Sequence, residues 1–263
     1  MPLVKSEKAE LFYEIIGDGP VVTFAHGAGG NTLIWWQQVP IFANKYTVVT
    51  FDHRGFGRSH CESAHNHARY FPDDLKRILD AAGVERTALV CQSMGGWTGL
   101  HFALKYPHKV SCLVLSGTPA GIHTPKVLEA FETIVRRRVA EMTQPQAWNE
   151  PHWALASDAF ERYPTRAYLY TQLSSLNPPL EDMGLGDMGI EFENLEGFKT
   201  PTLLIAGAKD RIFSPQLLEE VAQIIPGARF EKIDASGHSP YFETPEEYNS
   251  LVMEFLDAHA RVG

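Results

Sequence analysis

The sequence predicts an α/β protein: a mainly parallel sheet with helices on both faces and a helical block inserted late in the chain. Two observations lead there. Short, β-rich runs that are apolar throughout alternate with longer helical patterns, which is how strands buried on both faces and their crossover helices read. The alternation then stops over residues 120–197, where the sequence is helical and aromatic, and resumes at Pro201.

Element by element, residues 9–16 read as a strand, and Gly17, Asp18, Gly19 and Pro20 turn the chain into the next strand, 21–25. That pattern predicts an antiparallel hairpin at the sheet edge. Further strands follow at 47–51, 87–91, 110–115, 202–206 and 229–233. Helices are expected over 73–82, with Leu75, Ile78 and Leu79 on one stripe and Gly83 as the stop, over 95–106, ended by Pro107, and over 215–225, ended by Pro226 and Gly227. The last helix, 244–259, opens with Thr244, Pro245, Glu246 and Glu247, the pattern of a capping box with Pro at the first helical position. In the insertion, helices are expected at 125–141, 146–156 and 158–176, with loops at 177–179 and 183–189 that would let it shift. The expected division is a core of residues 1–119 and 198–263 carrying a cap of residues 120–197. A block inserted there lies over the strand ends, where the loops of an open parallel sheet border the ligand crevice.

Composition narrows the function. The 263 residues carry 23 Lys plus Arg against 32 Asp plus Glu, a net charge of −9, so the basic footprint of a nucleic-acid binder is missing. Cys61, Cys91 and Cys112 form no CxxC pair, the opening residues hold no apolar leader core, and no apolar run is long enough to span a bilayer. The expectation is a reduced, cytoplasmic protein with a small-molecule partner, no membrane or nucleic-acid partner and no cofactor; the oligomeric state is left open. His60, His65 and His67, with Cys61 and Glu62, read as a solvated polar loop rather than a metal site, and Arg136, Arg137 and Arg138 as a solvated helix face.

The sharpest motif is Cys91, Gln92, Ser93, Met94, Gly95 and Gly96, where a buried strand ends on a serine and small residues open a helix. It is the nucleophile-elbow pattern G-x-S-x-G with Cys91 in place of the first glycine. Cys91 itself reads as a small, inert core residue. His26, Gly27, Ala28, Gly29 and Gly30 follow another strand and leave backbone N–H groups bare, which suits an oxyanion hole; the candidate donors are the N–H groups of Ala28 and Met94. The lysine-bearing phosphate-loop pattern is absent. Asp210 and His238 each lie just beyond a strand, so the chain order is Ser93, Asp210, His238. Asp234 is the rival acid, and Glu243 reads as a cap or surface group.

With those pieces the chain resembles the α/β-hydrolase superfamily over nearly its full length. The resemblance rests on His26 and Gly27, on the run from Asp52 through Arg54, Gly55 and Gly57 to Ser59, on Gln92 to Gly96, on Gly207 to Asp210, and on Gly237 and His238. It implies a serine hydrolase in which Ser93 attacks an acyl carbonyl, His238 shuttles the proton, Asp210 orients His238, and the Asp52–Ser59 turn supports the oxyanion loop. A serine at the elbow speaks against the haloalkane dehalogenase and epoxide hydrolase branches, which use aspartate there. A carboxylic ester or lactone is the first expectation. The alternatives are a C–C bond hydrolase of a vinylogous diketone, and a signal-binding member with little turnover. Trp97, Trp148 and Trp153 are the expected substrate-binding aromatics.

Overall fold

The computed structural model describes residues 2–141, 149–178 and 182–260, with backbone alone for 135–141. Its strands are β1 (Leu3–Ser6), β2 (Ala9–Ile16), β3 (Val21–Ala25), β4 (Thr47–Phe51), β5 (His60–Cys61), β6 (Thr87–Gln92), β7 (Val110–Ser116), β8 (Thr202–Gly207) and β9 (Arg229–Ile233). Among the described residues they form one sheet in the order β1-β2-β4-β3-β6-β7-β8-β9, with the short β5 paired to β2. From β4 to β9 every pairing is parallel, while β1, β2 and β5 run antiparallel.

Successive side chains of the central strands enter two different cores, one on each face of the sheet. On β8, Leu204 and Ala206 join Leu89, Cys91 and Leu113 in one core, while Leu203 and Ile205 join Val90 and Val114 in the other. The first core is closed by α2 (Phe71–Ala81) and α3 (Gly95–Lys105), together with α7 (Pro215–Ile224). The second is closed by α1 (Val39–Phe42) and α9 (Pro245–His259). Covered on both faces, these strands have no polar side to alternate, which is why they read as continuous apolar runs. None of the described helices is long and apolar enough to cross a membrane.

The insertion between β7 and β8 contains α4 (Pro125–Glu141), α5 (Ala159–Arg162) and α6 (Pro164–Ser174); the short α8 (Pro240–Glu243) follows β9.

Several expectations need correction. The hairpin partner of β2 is β1, not β3, because β4 lies between β2 and β3. Gly17 (φ +93°) and Gly19 (φ +125°) let the connecting turn cross the carbonyls of Ala43, Lys45 and Tyr46 just ahead of β4, where any side chain would collide. Residues 149–156 form no helix; their backbone is hydrogen-bonded by side chains of other elements, as shown below. The expected helix over 158–176 is two helices, broken at Tyr163 (φ −149°), since Pro164 pushes the residue before it out of helical geometry. Thr244 forms no capping box; its hydroxyl donates to the Pro240 carbonyl at 3.2 Å, closing α8 instead.

Candidate active site

Ser93 occupies the turn between β6 and α3 at φ +48°, a left-handed conformation that is uncommon for a residue with a side chain. The turn is held by Ser93 N–H donating to the Ser116 carbonyl (2.9 Å) and Gly96 N–H to the Ser93 carbonyl (2.8 Å). Shape does the rest. A Cβ on Gly95 would collide with the Ala25 carbonyl, and one on Gly27 would come within 2.9 Å of the Ser93 Cβ. Cys91 is fully buried, and burial pushes its thiol far up from the usual range. Its sulfur is accommodated because the facing residue of α3 is Gly99, where a Cβ would strike Cys91.

The loop after β3 lies against this elbow. Gly30 N–H donates to the Gly27 carbonyl at 3.0 Å. Beneath it, His26 Nε2 accepts from His53 N–H at 2.9 Å, which leaves Nδ1 to donate to the Gly27 carbonyl at 2.8 Å. His53 Nε2 meets the Thr98 hydroxyl at 2.8 Å. Burial lowers the pKa of both rings, well below the ordinary value for His53, so they serve as neutral hydrogen-bonding groups. Asp52 accepts from Thr32 N–H (2.6 Å) and Arg58 N–H (2.8 Å), tying the loop to the following turn. Arg54 reaches back to Asp74 through a buried, two-pronged pair at 2.6 and 2.7 Å. Among the described residues, no protein acceptor takes the N–H of Ala28 or of Met94.

Across the strand ends, Asp210 caps its own turn by accepting from Ile212 N–H (2.7 Å) and Phe213 N–H (3.0 Å) through Oδ1. Its Oδ2 stands 2.9 Å from His238 Nδ1, with both side chains almost completely shielded from solvent. That bond places the ring proton on Nδ1 and leaves Nε2 as an acceptor. Gln92, beside Ser93, donates to the His238 carbonyl at 3.4 Å, and Gly117 leaves the room that the imidazole fills. The Ser93 hydroxyl makes no hydrogen bond to His238 among the described residues. The rival Asp234 is exposed and faces Lys232 at 3.4 Å.

A family model for the alpha/beta hydrolase fold matches residues 20–245. The chain belongs to this family. A relative from Azorhizobium caulinodans, provisionally named carbamate hydrolase RutD, is 27% identical over 97% of this chain and 98% of its own length. Among solved structures, a thermophilic esterase from Thermogutta terrifontis is 27% identical with a TM-score of 0.80, covering 95% of this chain and 94% of the other. Est816, described as an N-acyl homoserine lactone degrading enzyme, is 25% identical with a TM-score of 0.79, covering 97% of this chain and 100% of the other.

In this hydrolase-fold chain the insertion is fastened at several points that local sequence pattern did not signal. Asn177, expected in a shifting loop, donates to the Gly29 carbonyl (2.7 Å) and accepts from Gly57 N–H (3.0 Å). Arg211, next to Asp210, donates to the carbonyls of Leu155 (3.1 Å), Pro151 (3.2 Å) and His152 (3.0 Å). Glu243 corrects the reading most: it is 1% exposed, not a surface group. It accepts from Ala156 N–H of the insertion and from Gly237 and Ser239 N–H on either side of His238. The one hint was an acid lodged directly after Pro240, Tyr241 and Phe242.

His152 lies in the non-helical strap formed by residues 149–156, its ring 5.1 Å from that of Tyr170. Burial first, then the nearby His238 and Arg211, bring its pKa down to about 4. Trp97 is buried and donates its indole N–H to the Leu185 carbonyl at 3.2 Å, with its ring against Phe131 of α4. Trp153 is half-buried beside His152. Trp148 and the side chains of Arg136, Arg137 and Arg138 lie outside the described residues. His65 and His67 face different carboxylates, Glu62 at 3.9 Å and Asp187 at 3.7 Å. A cavity of about 580 Å³ on the insertion, among Phe160, Pro164 and Tyr168, holds none of the site residues, whereas Asp210 and Arg211 border a cleft of about 430 Å³ between α4 and α7.

Proposed function

We propose that the chain is a serine hydrolase of small to medium carboxylic esters or lactones, working through an acyl-enzyme on Ser93. The observation that carries this reading is the pairing of a strained Ser93 (φ +48°) on the β6–α3 turn with a buried Asp210–His238 bond of 2.9 Å at the same end of the sheet. In this reading Ser93 Oγ attacks the acyl carbonyl while His238 Nε2 takes its proton. Asp210 holds the ring in the tautomer that makes Nε2 basic and stabilises the imidazolium that forms. The backbone N–H groups of Ala28 and Met94 receive the oxyanion, and removal of such a donor costs on the order of 10²–10³ in kcat. His238 then returns the proton to the leaving group, and water, deprotonated by the same ring, releases the acid. The Ser93–His238 contact closes as substrate binds, since catalytic hydrogen bonds are often long in unliganded enzymes.

Residues 120–197 act in this proposal as the cap of a core formed by 1–119 and 198–263. Trp153 of the cap, and Trp97 of α3 packed against Phe131, contribute the apolar wall, which favours uncharged or aromatic groups of modest size.

A second reading, carbamate hydrolysis, is favoured by the near full-length match to the relative of that name. It uses the same residues, with a carbamoyl carbon in place of the acyl carbon. The test is labelling by a fluorophosphonate probe, mapped to Ser93, followed by kcat/KM for p-nitrophenyl acetate, butyrate and palmitate, a γ-lactone and a small carbamate. Highest efficiency on the short ester or lactone supports the first reading, and on the carbamate the second. Absence of labelling together with absence of turnover overturns both.

A further inference from the structure

We propose that Glu243 is a positioning residue that locks the base His238 to the wall of the substrate site. The inference rests on the reading of His238 as the base. The two oxygens of Glu243 divide their partners by segment. Oε1 accepts from Gly237 N–H (2.9 Å) and Ser239 N–H (3.2 Å), the residues that bracket His238. Oε2 accepts from Ala156 N–H (2.8 Å) and from the Tyr163 hydroxyl, both in the insertion.

Three of these four donors are backbone N–H groups, which cannot turn round to accept. A carboxyl group offers acceptors on both sides; in glutamine the NH2 group that replaces one oxygen would aim its hydrogens at a backbone N–H that cannot accept. Burial pushes the Glu243 carboxyl up, while Tyr163 and the backbone donors pull it back. A buried charge is a poor source of stability in itself, and it is tolerated here because its hydrogen-bonding sites are filled. Its specific effect is geometric. The strap that includes Ala156 lies directly on the His238 loop, where a Cβ on Gly237 would be 2.5 Å from the Ala156 nitrogen. Ser239 Oγ adds a contact to the Tyr170 hydroxyl at 3.2 Å, and Arg162 donates to the Ala235 carbonyl. The base and the substrate wall therefore move as one piece, and the two oxygens have separable consequences. The Oε1 pair sets where His238 stands, a matter of kcat. The Oε2 pair sets where the strap stands, a matter of KM.

Glu243→Gln and Tyr163→Phe test this, with kcat and KM on p-nitrophenyl butyrate and the far-downfield proton resonance of the Asp210–His238 hydrogen bond as readouts. Circular dichroism establishes that each variant is folded at the assay temperature. Glu243→Gln is expected to lose on the order of 10² in kcat, the effect of a misplacement near 1 Å, and to shift or broaden the resonance. Tyr163→Phe is expected to raise KM several-fold with kcat within about twofold and the resonance unmoved, because one hydrogen bond of four is lost. Wild-type kcat and an unmoved resonance in folded Glu243→Gln overturn the proposal. So does a Tyr163→Phe variant that loses kcat as severely as Glu243→Gln, which would indicate general loosening. If Glu243→Gln does not fold, an unchanged KM in Tyr163→Phe overturns it. A wild type that hydrolyses nothing, while Glu243→Gln still moves the resonance, supports the positioning role and sinks only the hydrolase reading.

Discussion

Around Ser93 the chain is held by shape; around His238 it is held by charge. The elbow depends on small residues that admit close backbone approach, with Gly95 under the Ala25 carbonyl and Gly99 opposite Cys91. The Asp210–His238 side depends on Glu243 and Arg211, both of which reach into the insertion. Shape is set by neighbours a few residues away or on adjacent strands. The polar ties span long sequence separations, as between Glu243 and Ala156 or Arg211 and Leu155. The two sides should fail differently when altered.

The largest difference is expected at Ser93 itself. Ser93→Ala should lower kcat by about 10⁶, the scale for a nucleophile acting within a triad, with substrate binding largely kept. Ser93→Gly should be equally inactive yet more stable by about 1 kcal/mol, because the strained φ is relieved. Steady-state kinetics and urea melts measure the pair. A glycine variant less stable than the alanine variant would show that the turn stores no strain.

On the polar side, Asp210→Asn should cost about 10⁴ in kcat, since the amide cannot hold the histidine tautomer that makes Nε2 basic. The exposed Asp234, changed to Asn, should leave kcat within about twofold, as is usual for surface positions. The reverse ranking in the same kinetic assay would reassign the acid.

This contrast explains what the sequence made legible. Core strands were found to within a residue because burial on both faces writes itself as an unbroken apolar run, as in β8. Ser93 and Asp210 stood out because each follows such a run, and His238 because it follows the mixed, β-like run of β9. The placement of β4 between β2 and β3 could not be read, since a turn signal tells that the chain reverses and not which strand it pairs with. Residues 149–156 looked helical by composition, but Arg211 and Glu243 take up backbone groups that a helix would otherwise use. Glu243 was misread because one carboxylate carries no sign of which distant N–H groups converge on it.

The shape side can be tested by overfilling it. Gly99→Ala should destabilise the fold by about 1–3 kcal/mol, as overpacked cores do, by driving a methyl group into the Cys91 sulfur. Adding Cys91→Ala should recover most of that loss, a coupling that distant sites lack. Both variants should keep kcat within a few-fold, measured beside their urea midpoints. Independent, additive losses would mean that Gly99 is not there to make room for Cys91.

The smallest effect separates the two sides by pH. His26 and His53 beneath the elbow, and His152 in the strap, all have pKa values lowered by burial. In the unfolded chain a histidine titrates near 6.5, so below that pH the unfolded state binds more protons than the folded state. Stability from these groups is therefore fully present above about pH 6.5 and is lost as pH falls, by up to about 1.4 kcal/mol per pH unit for each ring. For His152 the loss runs down to its folded value of about 4. The raised carboxyls of Glu243 and Asp74 titrate with the opposite slope, since their contribution is lost as pH rises through the folded value. The informative quantity is thus the change in slope between wild type and His53→Asn or His152→Asn, in which the carboxyl contributions cancel. Urea unfolding between pH 5 and 8 should show a shallower acid slope for His53→Asn, because the network it belongs to is lost only with the core. If the strap opens ahead of global unfolding, the His152→Asn effect moves out of the urea transition and into amide exchange of residues 149–156. An unchanged acid slope in His53→Asn would mean that the elbow network accepts a proton in place, and the account of neutral, buried rings beneath the loop after β3 would fall.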